Sequence, residues 1–361
     1  VESTGGNFGQ VAQNLGLVDG LWTREQVQAR VVEIAGENGD ETDYPVAPLA
    51  DYLKQMRLLK GARDSAENVG IVVAAGEILN GSQPPGTVGG DSTAAQLRQA
   101  RKDDSVKAVV LRVDSPGGST FASEVIRNEV DALRAEGKPV VVSMSSIAAS
   151  GGYWISMAAD RIYATPYTIT GSIGVFGMYP TFERSLAELG IHSDGVATTP
   201  WAGALRPDRT MSDEAKAIFQ LSINHSYDEF LAGIAQYREM TREAADALAQ
   251  GRIWTGSDAL ANGLVDEFGE LEDAVVAAAE IAGLEEGAYG QKRFEYELDP
   301  GEQLMLDLLG SAGAWGVDIA MFRGSRPSIE KVAEIVERAL SPLTRFNDPS
   351  GIYSYCFCEI E

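Results

Sequence analysis

Two glycine-rich turns in this chain carry the residue types that acyl transfer requires. The first, Ser115-Pro116-Gly117-Gly118, follows the valine-rich run Val106–Val113. The second, Ser150-Gly151-Gly152, follows the apolar run Lys138–Ser145. A developing oxyanion is stabilised by backbone N–H groups that converge on one point, and glycine lets a carbonyl approach the backbone closely. Each turn leads into a helical pattern, and the first N–H groups of a helix have no partner within it. A serine at such a helix start stands where an acyl-transfer nucleophile belongs. Ser150 holds that position.

The activating base is harder to find. A Ser/His/Asp triad needs a histidine. The chain has two, His192 in Leu-Gly-Ile-His-Ser-Asp-Gly and His225 in Ser-Ile-Asn-His-Ser-Tyr, and both read as structural. No Gly-x-Ser-x-Gly elbow occurs, which argues against a standard α/β-hydrolase. A desolvated lysine is the other solution, because burial lowers its pKa and frees a lone pair. No lysine lies between Lys138 and Lys216, and Lys216 reads as a solvated helix residue. Arg206 and Arg209 stay protonated and cannot substitute.

The elements that must position these residues alternate. Gly70–Ile78, Val106–Val113 and Lys138–Ser145 read as buried strands, and Arg161–Gly177 as short strands and turns. Ala94–Lys102, Phe121–Glu136, Tyr153–Ala159, Met211–Gln236 (capped by Ser212) and Arg242–Ala249 read as helices. Strands alternating with helices imply βαβ units and an α/β fold. Right-handed crossovers bring successive strand ends to one sheet edge, so both glycine turns are expected side by side there. An exposed strand edge near Ser115–Thr120 would pair with an extended peptide. Trp154 is expected either in a substrate pocket or in the core beneath its helix.

Gly16–Gly36 and Gly263–Gly283 both begin Gly-Leu-Val-Asp and end Glu-Ile-Ala-Gly, at a constant offset of 247 residues (16 to 263, 36 to 283). A repeat at a domain-sized offset points to duplication of a domain. Residues 1–36 are therefore expected to be the tail of a repeat whose body precedes Val1. Residues 37–69 read as a polar linker and connecting helix, 70–285 as the serine-bearing domain, and 286–361 as a C-terminal extension containing an amphipathic helix at Gln303–Phe322. No apolar run approaches the roughly 20 residues of a membrane span.

The 361 residues carry a net charge of −24, with 53 acidic against 29 basic side chains, which disfavours nucleic acid as a partner. Cys356 and Cys358, two apart in an expected extended segment, read as idle thiols, since that spacing suits a disulfide poorly. Two ligands alone make no zinc site. No metal and no cofactor are expected.

The segments Val109–Val130, Pro139–Asp160 and Thr168–Gly177, taken in order, resemble the signal peptide peptidase A family in its long, duplicated form, and the resemblance extends over nearly the whole chain. It implies a ClpP/crotonase-like fold of repeated ββα units and a Ser/Lys endopeptidase. Such an enzyme cleaves signal-peptide remnants at the periplasmic side of the bacterial inner membrane and assembles as a homo-oligomer. Ser150 matches the family nucleophile. Ser172 matches the serine that hydrogen-bonds the general-base lysine. Gly117 or Gly118, with Gly151, would hold the oxyanion. In the long form that lysine belongs to the N-terminal copy, so it is expected from a domain outside this chain. The alternatives are an inactive scaffold of the same fold and a crotonase-like acyl-CoA enzyme.

Overall fold

The computed structural model describes residues 8–36, 66–196, 198–199, 201–295 and 347–358, with single positions 47, 49, 52 and 56. The expected linker and the helix at Gln303–Phe322 lie outside the described residues or nearly so. The chain divides into two units, residues 1–64 and 65–361.

In the first unit, α1 (Phe8–Asn14) and α2 (Arg24–Ala35) flank the Gly16–Asp19 turn. Thr23 caps α2 by accepting from the Gln26 amide, and the Gln26 side chain returns the bond to the Thr23 amide.

The second unit runs β1 (Asn68–Ala75), β2 (Ile78–Leu79), β3 (Val88–Gly89), α3 (Gly90–Lys102), β4 (Val106–Ser115), β5 (Gly117–Ser119) and α4 (Thr120–Ala135). It continues with β6 (Val140–Ala149), α5 (Gly151–Trp154), β7 (Arg161–Ala164), β8 (Ile169–Gly171), β9 (Phe176–Gly177), α6 (Glu183–Glu188) and α7 (Asp213–Tyr237). The last described elements are α8 (Arg242–Leu248), β10 (Ile253–Thr255), α9 (Gly256–Ala261), β11 (Glu267–Phe268), α10 (Leu271–Ile281), β12 (Gly290–Phe294) and β13 (Ile352–Tyr355). The fold is α/β.

The main sheet follows the order β10-β8-β6-β4-β1-β12, with β7 pairing β6 and β11. β12, β1, β4 and β6 are parallel neighbours, as are β6 and β8. Their valine-rich sequences follow from burial on both faces. Alternate residues serve the two faces: Val109, Leu111 and Val113 of β4 join one core cluster, while Ala108 and Val110 join a second under Ala274, Val275 and Ala278 of α10.

The two Gly-Leu-Val-Asp segments are each flanked by helices. α9 and α10 flank Gly263–Asp266 as α1 and α2 flank Gly16–Asp19. α2 and α10 begin at 24 and 271, again 247 apart, and α1 shifted by that offset covers 255–261, beside α9.

Several expectations shift. The strand expected over Gly70–Ile78 breaks at Gly76, whose φ of 107° turns the chain and whose Cα packs on the Gly86 carbonyl. The helix expected at Tyr153–Ala159 is α5, one turn long. Beyond it i+4 and i+3 bonds mix: the Tyr153 carbonyl accepts from the Ser156 and Met157 amides, and the Ser156 carbonyl from the Ala159 amide. Strands β12 and β13 lie beyond the boundary drawn at 285, yet they extend the two sheets of the serine-bearing domain. Cys356 and Cys358 are disulfide-bonded, not idle thiols. They follow β13 in irregular backbone, where their Cα atoms come to 5.2 Å, within disulfide reach.

Candidate active site

Parallel neighbours β4 and β6 end at the same sheet edge, so the two glycine turns meet there as expected. A bulge in their pairing sets Ser115 opposite Ala148. β5 carries Gly117 and Gly118, and α5 begins at Gly151. The turns touch: a Cβ on Gly151 would lie 3.1 Å from the Gly117 Cα.

Ser150 sits between β6 and α5 with φ 58° and ψ −116°, a conformation that L residues rarely adopt. Its amide donates to the Gly171 carbonyl (2.7 Å) and its carbonyl accepts from the Trp154 amide (2.9 Å), which holds the strained turn from both sides. Its side chain is buried, and its hydroxyl lies 2.7 Å from the Ser354 hydroxyl.

The three glycines differ in what their amides do. The Gly117 N–H donates to the Ser115 hydroxyl (3.1 Å) and is engaged there. Gly118 stands opposite Ser354 in the antiparallel pairing of β5 with β13. The Cys356 N–H donates to the Pro116 carbonyl (2.7 Å), and the two-residue alternation of such a ladder makes Ser354 and Gly118 a hydrogen-bonded pair as well. The Gly151 N–H has no hydrogen-bond partner among the described residues, as the first amide of a helix must. The carbonyl oxygen of Ser354 packs against both Gly117 and Gly151. Gly118 and Gly151 are therefore positioned as donors, and Gly117 as the residue without a side chain that lets a carbonyl in.

Ser172 also has positive φ, 48°, and its amide donates to the Arg252 carbonyl (2.6 Å). It lines a cavity of about 740 Å³ shared with Val175, Ile223, Tyr227 and Ile253. Asp246 is the one charged side chain among the described residues of that lining. Hydrogen bonds from Tyr227 and Gln250 hold its carboxyl below the usual range.

The layer beneath α5 is packed and polar at chosen points. Trp154 is core: its ring lies 4.5 Å from that of Phe230, and its Nε1 donates to Glu124 (2.9 Å). Burial works to raise the Glu124 pKa, but the bonds from Arg127 and Trp154 outweigh it and hold the carboxyl below its ordinary value. Tyr153 is fully buried, which pushes its phenol up, and its hydroxyl donates to the Leu264 carbonyl (2.8 Å).

Among the described residues, no lysine or histidine is hydrogen-bonded to Ser150 or Ser172. Lys216 pairs with Asp213 in its own helix, Lys138 donates to the carbonyls of Ala100 and Asp103, and His225 faces Glu229 on an exposed surface. Arg206 pairs with Asp208. Ser354 is the site residue that sequence reasoning missed. Only its three-residue separation from Gly351 and its place in an aromatic run could have marked it as strand.

An α/β sheet in which a strained serine and a facing glycine turn share one edge is the layout of an acyl-transfer site. Residues 132–285 match peptidase family S49. Over 359 residues the chain is 43% identical to Protease 4 of Salmonella typhi, covering 98% of this chain and 56% of that protein. It is 40% identical over 355 residues to Protease 4 of Haemophilus influenzae, with coverages of 97% and 56%. It is 32% identical over 263 residues to the putative signal peptide peptidase SppA of Enterococcus faecium, covering 72% of each chain. The chain belongs to peptidase family S49, and it spans just over half the length of the two Protease 4 relatives.

Proposed function

We propose that this chain is the serine-bearing portion of a Ser/Lys endopeptidase. Ser150 Oγ attacks the substrate carbonyl carbon while its proton passes to a lysine amine. The oxyanion accepts from the Gly118 and Gly151 N–H groups. The peptide C–N bond then breaks, the leaving amine takes the proton, and water hydrolyses the acyl-enzyme. One observation carries this reading: the Ser354 carbonyl rests against Gly117 and Gly151, with Ser150 beside it.

The base comes from residues outside this chain, and Ser172 orients it from the wall of the neighbouring cavity. Two observations favour this. Lys107, Lys138, Lys216 and Lys292 are paired with groups outside the site, and the Protease 4 relatives extend well beyond the matched region. The substrates are cleaved signal peptides and similar membrane-released remnants, and the site of action is the periplasmic side of the bacterial inner membrane. The name of the Enterococcus faecium relative and a cavity rich in apolar side chains support the signal-peptide substrate. Phe182, Leu189, Ile191, Trp201, Leu205 and Leu221 are each exposed, and exposed apolar side chains of this kind fit assembly with further copies.

A fluorophosphonate probe tests the nucleophile. In the protein at the length of its relatives, the probe labels one serine and Ser150→Ala abolishes labelling. Undiminished labelling of that variant would remove Ser150 from the role. The chain alone is expected to turn over peptide at a small fraction of the longer protein's rate.

A further inference from the structure

α5 is a single turn of four residues, too short to hold itself in place, so what it is fastened to sets the geometry of its first residues. Two main-chain bonds close it: the Trp154 amide donates to the Ser150 carbonyl (2.9 Å) and the Ile155 amide to that of Gly151 (3.1 Å). Trp154 is therefore the residue that completes the strained Ser150 conformation. Its side chain anchors the turn to α4. The residue is 3% exposed, its ring packs on Phe230, and its Nε1 donates to Glu124 Oε2 (2.9 Å). A buried indole N–H needs an acceptor, and here the acceptor is a carboxylate on a neighbouring helix.

Glu124 is aimed by a second contact, independent of the indole. Arg127, one turn further along α4, grips the carboxylate with both arms of its fork: Nε donates to Oε2 (2.8 Å) and Nη2 to Oε1. Arg127 is in turn held from α7, where the Tyr237 hydroxyl accepts from its Nη1 (2.6 Å) and donates to Asp131 (2.6 Å). α4 leaves β5 directly, Ser119 being both the last residue of β5 and the N-cap of the helix. The helix that carries Glu124 thus begins at the glycine turn, and the helix it grips begins at the serine. Gly118 lies on one side of this tie and Gly151 on the other. The fit is close: a Cβ on Gly151 would lie 2.8 Å from Ser123 Oγ, which donates to the Ser119 carbonyl (2.8 Å).

We propose that Glu124 is a positioning residue for the acyl-transfer site: its carboxylate, aimed by Arg127, holds the Trp154 indole and so fixes Ser150 Oγ and the Gly151 N–H relative to the Gly118 N–H. It touches no substrate atom and moves no proton. Its effect is on the spacing between the nucleophile and the two donors, where a displacement of about 1 Å costs on the order of a hundredfold in rate. The proposal rests on the peptidase reading for the role of Ser150.

The test is the rate at which a fluorophosphonate acylates Ser150, measured in the protein at the length of its relatives beside kcat and KM for a peptide substrate. Glu124→Leu removes the acceptor and slows labelling at least about tenfold, with the loss in kcat rather than KM. Glu124→Gln keeps a side-chain carbonyl for the indole and recovers most of that rate. Trp154→Phe keeps an aromatic ring on Phe230 and removes the donor. It slows labelling as Glu124→Leu does, and the double variant is no slower than either single one, because both lose the same bond. Leu133→Ala is the control for stability alone. Leu133 is buried in the same helix, more than two turns beyond Glu124, so the variant melts at a lower temperature yet labels within about twofold of the wild-type rate. A wild-type rate in Glu124→Leu or Trp154→Phe, or a loss in Leu133→Ala that matches theirs, overturns the proposal. Should Glu124→Leu not fold, the rate of Trp154→Phe decides it. Failure of the peptidase reading would appear as labelling that survives Ser150→Ala, and failure of this one as Ser150-dependent labelling that is indifferent to Glu124 and Trp154.

Discussion

Gly117 and Gly151 come so close that a Cβ on Gly117 would lie 2.5 Å from the Gly151 amide nitrogen, and it would also overlap the Ser354 carbonyl. Its φ of 98° adds strain for any L side chain. Gly117→Ala therefore meets both backbone strain and immovable backbone atoms. It is expected to cost about 3 kcal/mol or more, the range of strain and overpacking combined. Gly137→Ala is the matched control, with φ 81° and nothing within 4 Å of its Cβ, and about 1 kcal/mol is expected. Chemical denaturation of the two variants gives the difference. Equal costs would mean that the turns do not meet as described.

The repeated Gly-Leu-Val-Asp turn supports α5 from below. Leu264 O accepts from the Tyr153 hydroxyl, and Asp266 accepts from the Ile162 amide (2.7 Å) and the buried Arg238 guanidinium. Tyr153→Phe leaves a buried carbonyl unpaired, at a cost of about 1–3 kcal/mol. Arg238→Met strands a carboxylate that is partly buried and is expected to cost about 3 kcal/mol, toward the lower end for broken buried pairs. The two sites share the turn, so a double-mutant cycle should show coupling above about 0.5 kcal/mol. Additive effects would separate the turn from α5.

Much of this arrangement was legible in the residues. Val106–Val113 and Lys138–Ser145 announce buried parallel strands, and the crossover rule then brings Ser115–Gly118 beside Ser150. Ser212 and Thr241 mark where α7 and α8 begin, because each side chain caps a free amide three residues on. β5 and β13 were not legible. Gly117–Ser119 has no side-chain alternation, and its partner lies more than 230 residues away, so no local pattern records the pairing. The disulfide was missed for a related reason: the extended spacing assumed for Cys356 and Cys358 ends with β13. Which of Gly117 and Gly118 donates also depended on the Ser115 hydroxyl, a contact only the fold creates.

Acid should loosen the β12 edge. Asp103 accepts from Lys292 Nζ (2.6 Å) and from the Ser105 hydroxyl and amide, and these bonds bring its pKa down from 3.8 to about 2. A carboxylate depressed on folding stabilises the native state above its unfolded pKa, and that stability is lost as pH falls toward the folded value. The loss therefore falls between about pH 4 and 2. Lys292→Met removes the leading cause, so its stability should decline less over that window than the wild type's, while remaining lower at pH 6. Urea midpoints across the window provide the check, and parallel profiles would detach the carboxylate from Lys292.

Ser150 offers a comparison in which glycine should outperform alanine. At φ 58° and ψ −116° both Ser and Ala pay for a left-handed backbone that glycine adopts freely. Strain of this kind costs on the order of 1–3 kcal/mol. Both Ser150→Gly and Ser150→Ala lose the hydroxyl bond to Ser354, so that term cancels between them. Glycine's extra freedom in the unfolded chain offsets only about 0.4–1 kcal/mol of the gain. Ser150→Gly should therefore be more stable than Ser150→Ala by about 1 kcal/mol. Thermal melts of the two variants decide it. Alanine as the more stable of the pair would mean that the backbone at 150 is not held in the strained turn, and the serine would then lose the geometry that sets its oxygen beside Gly151.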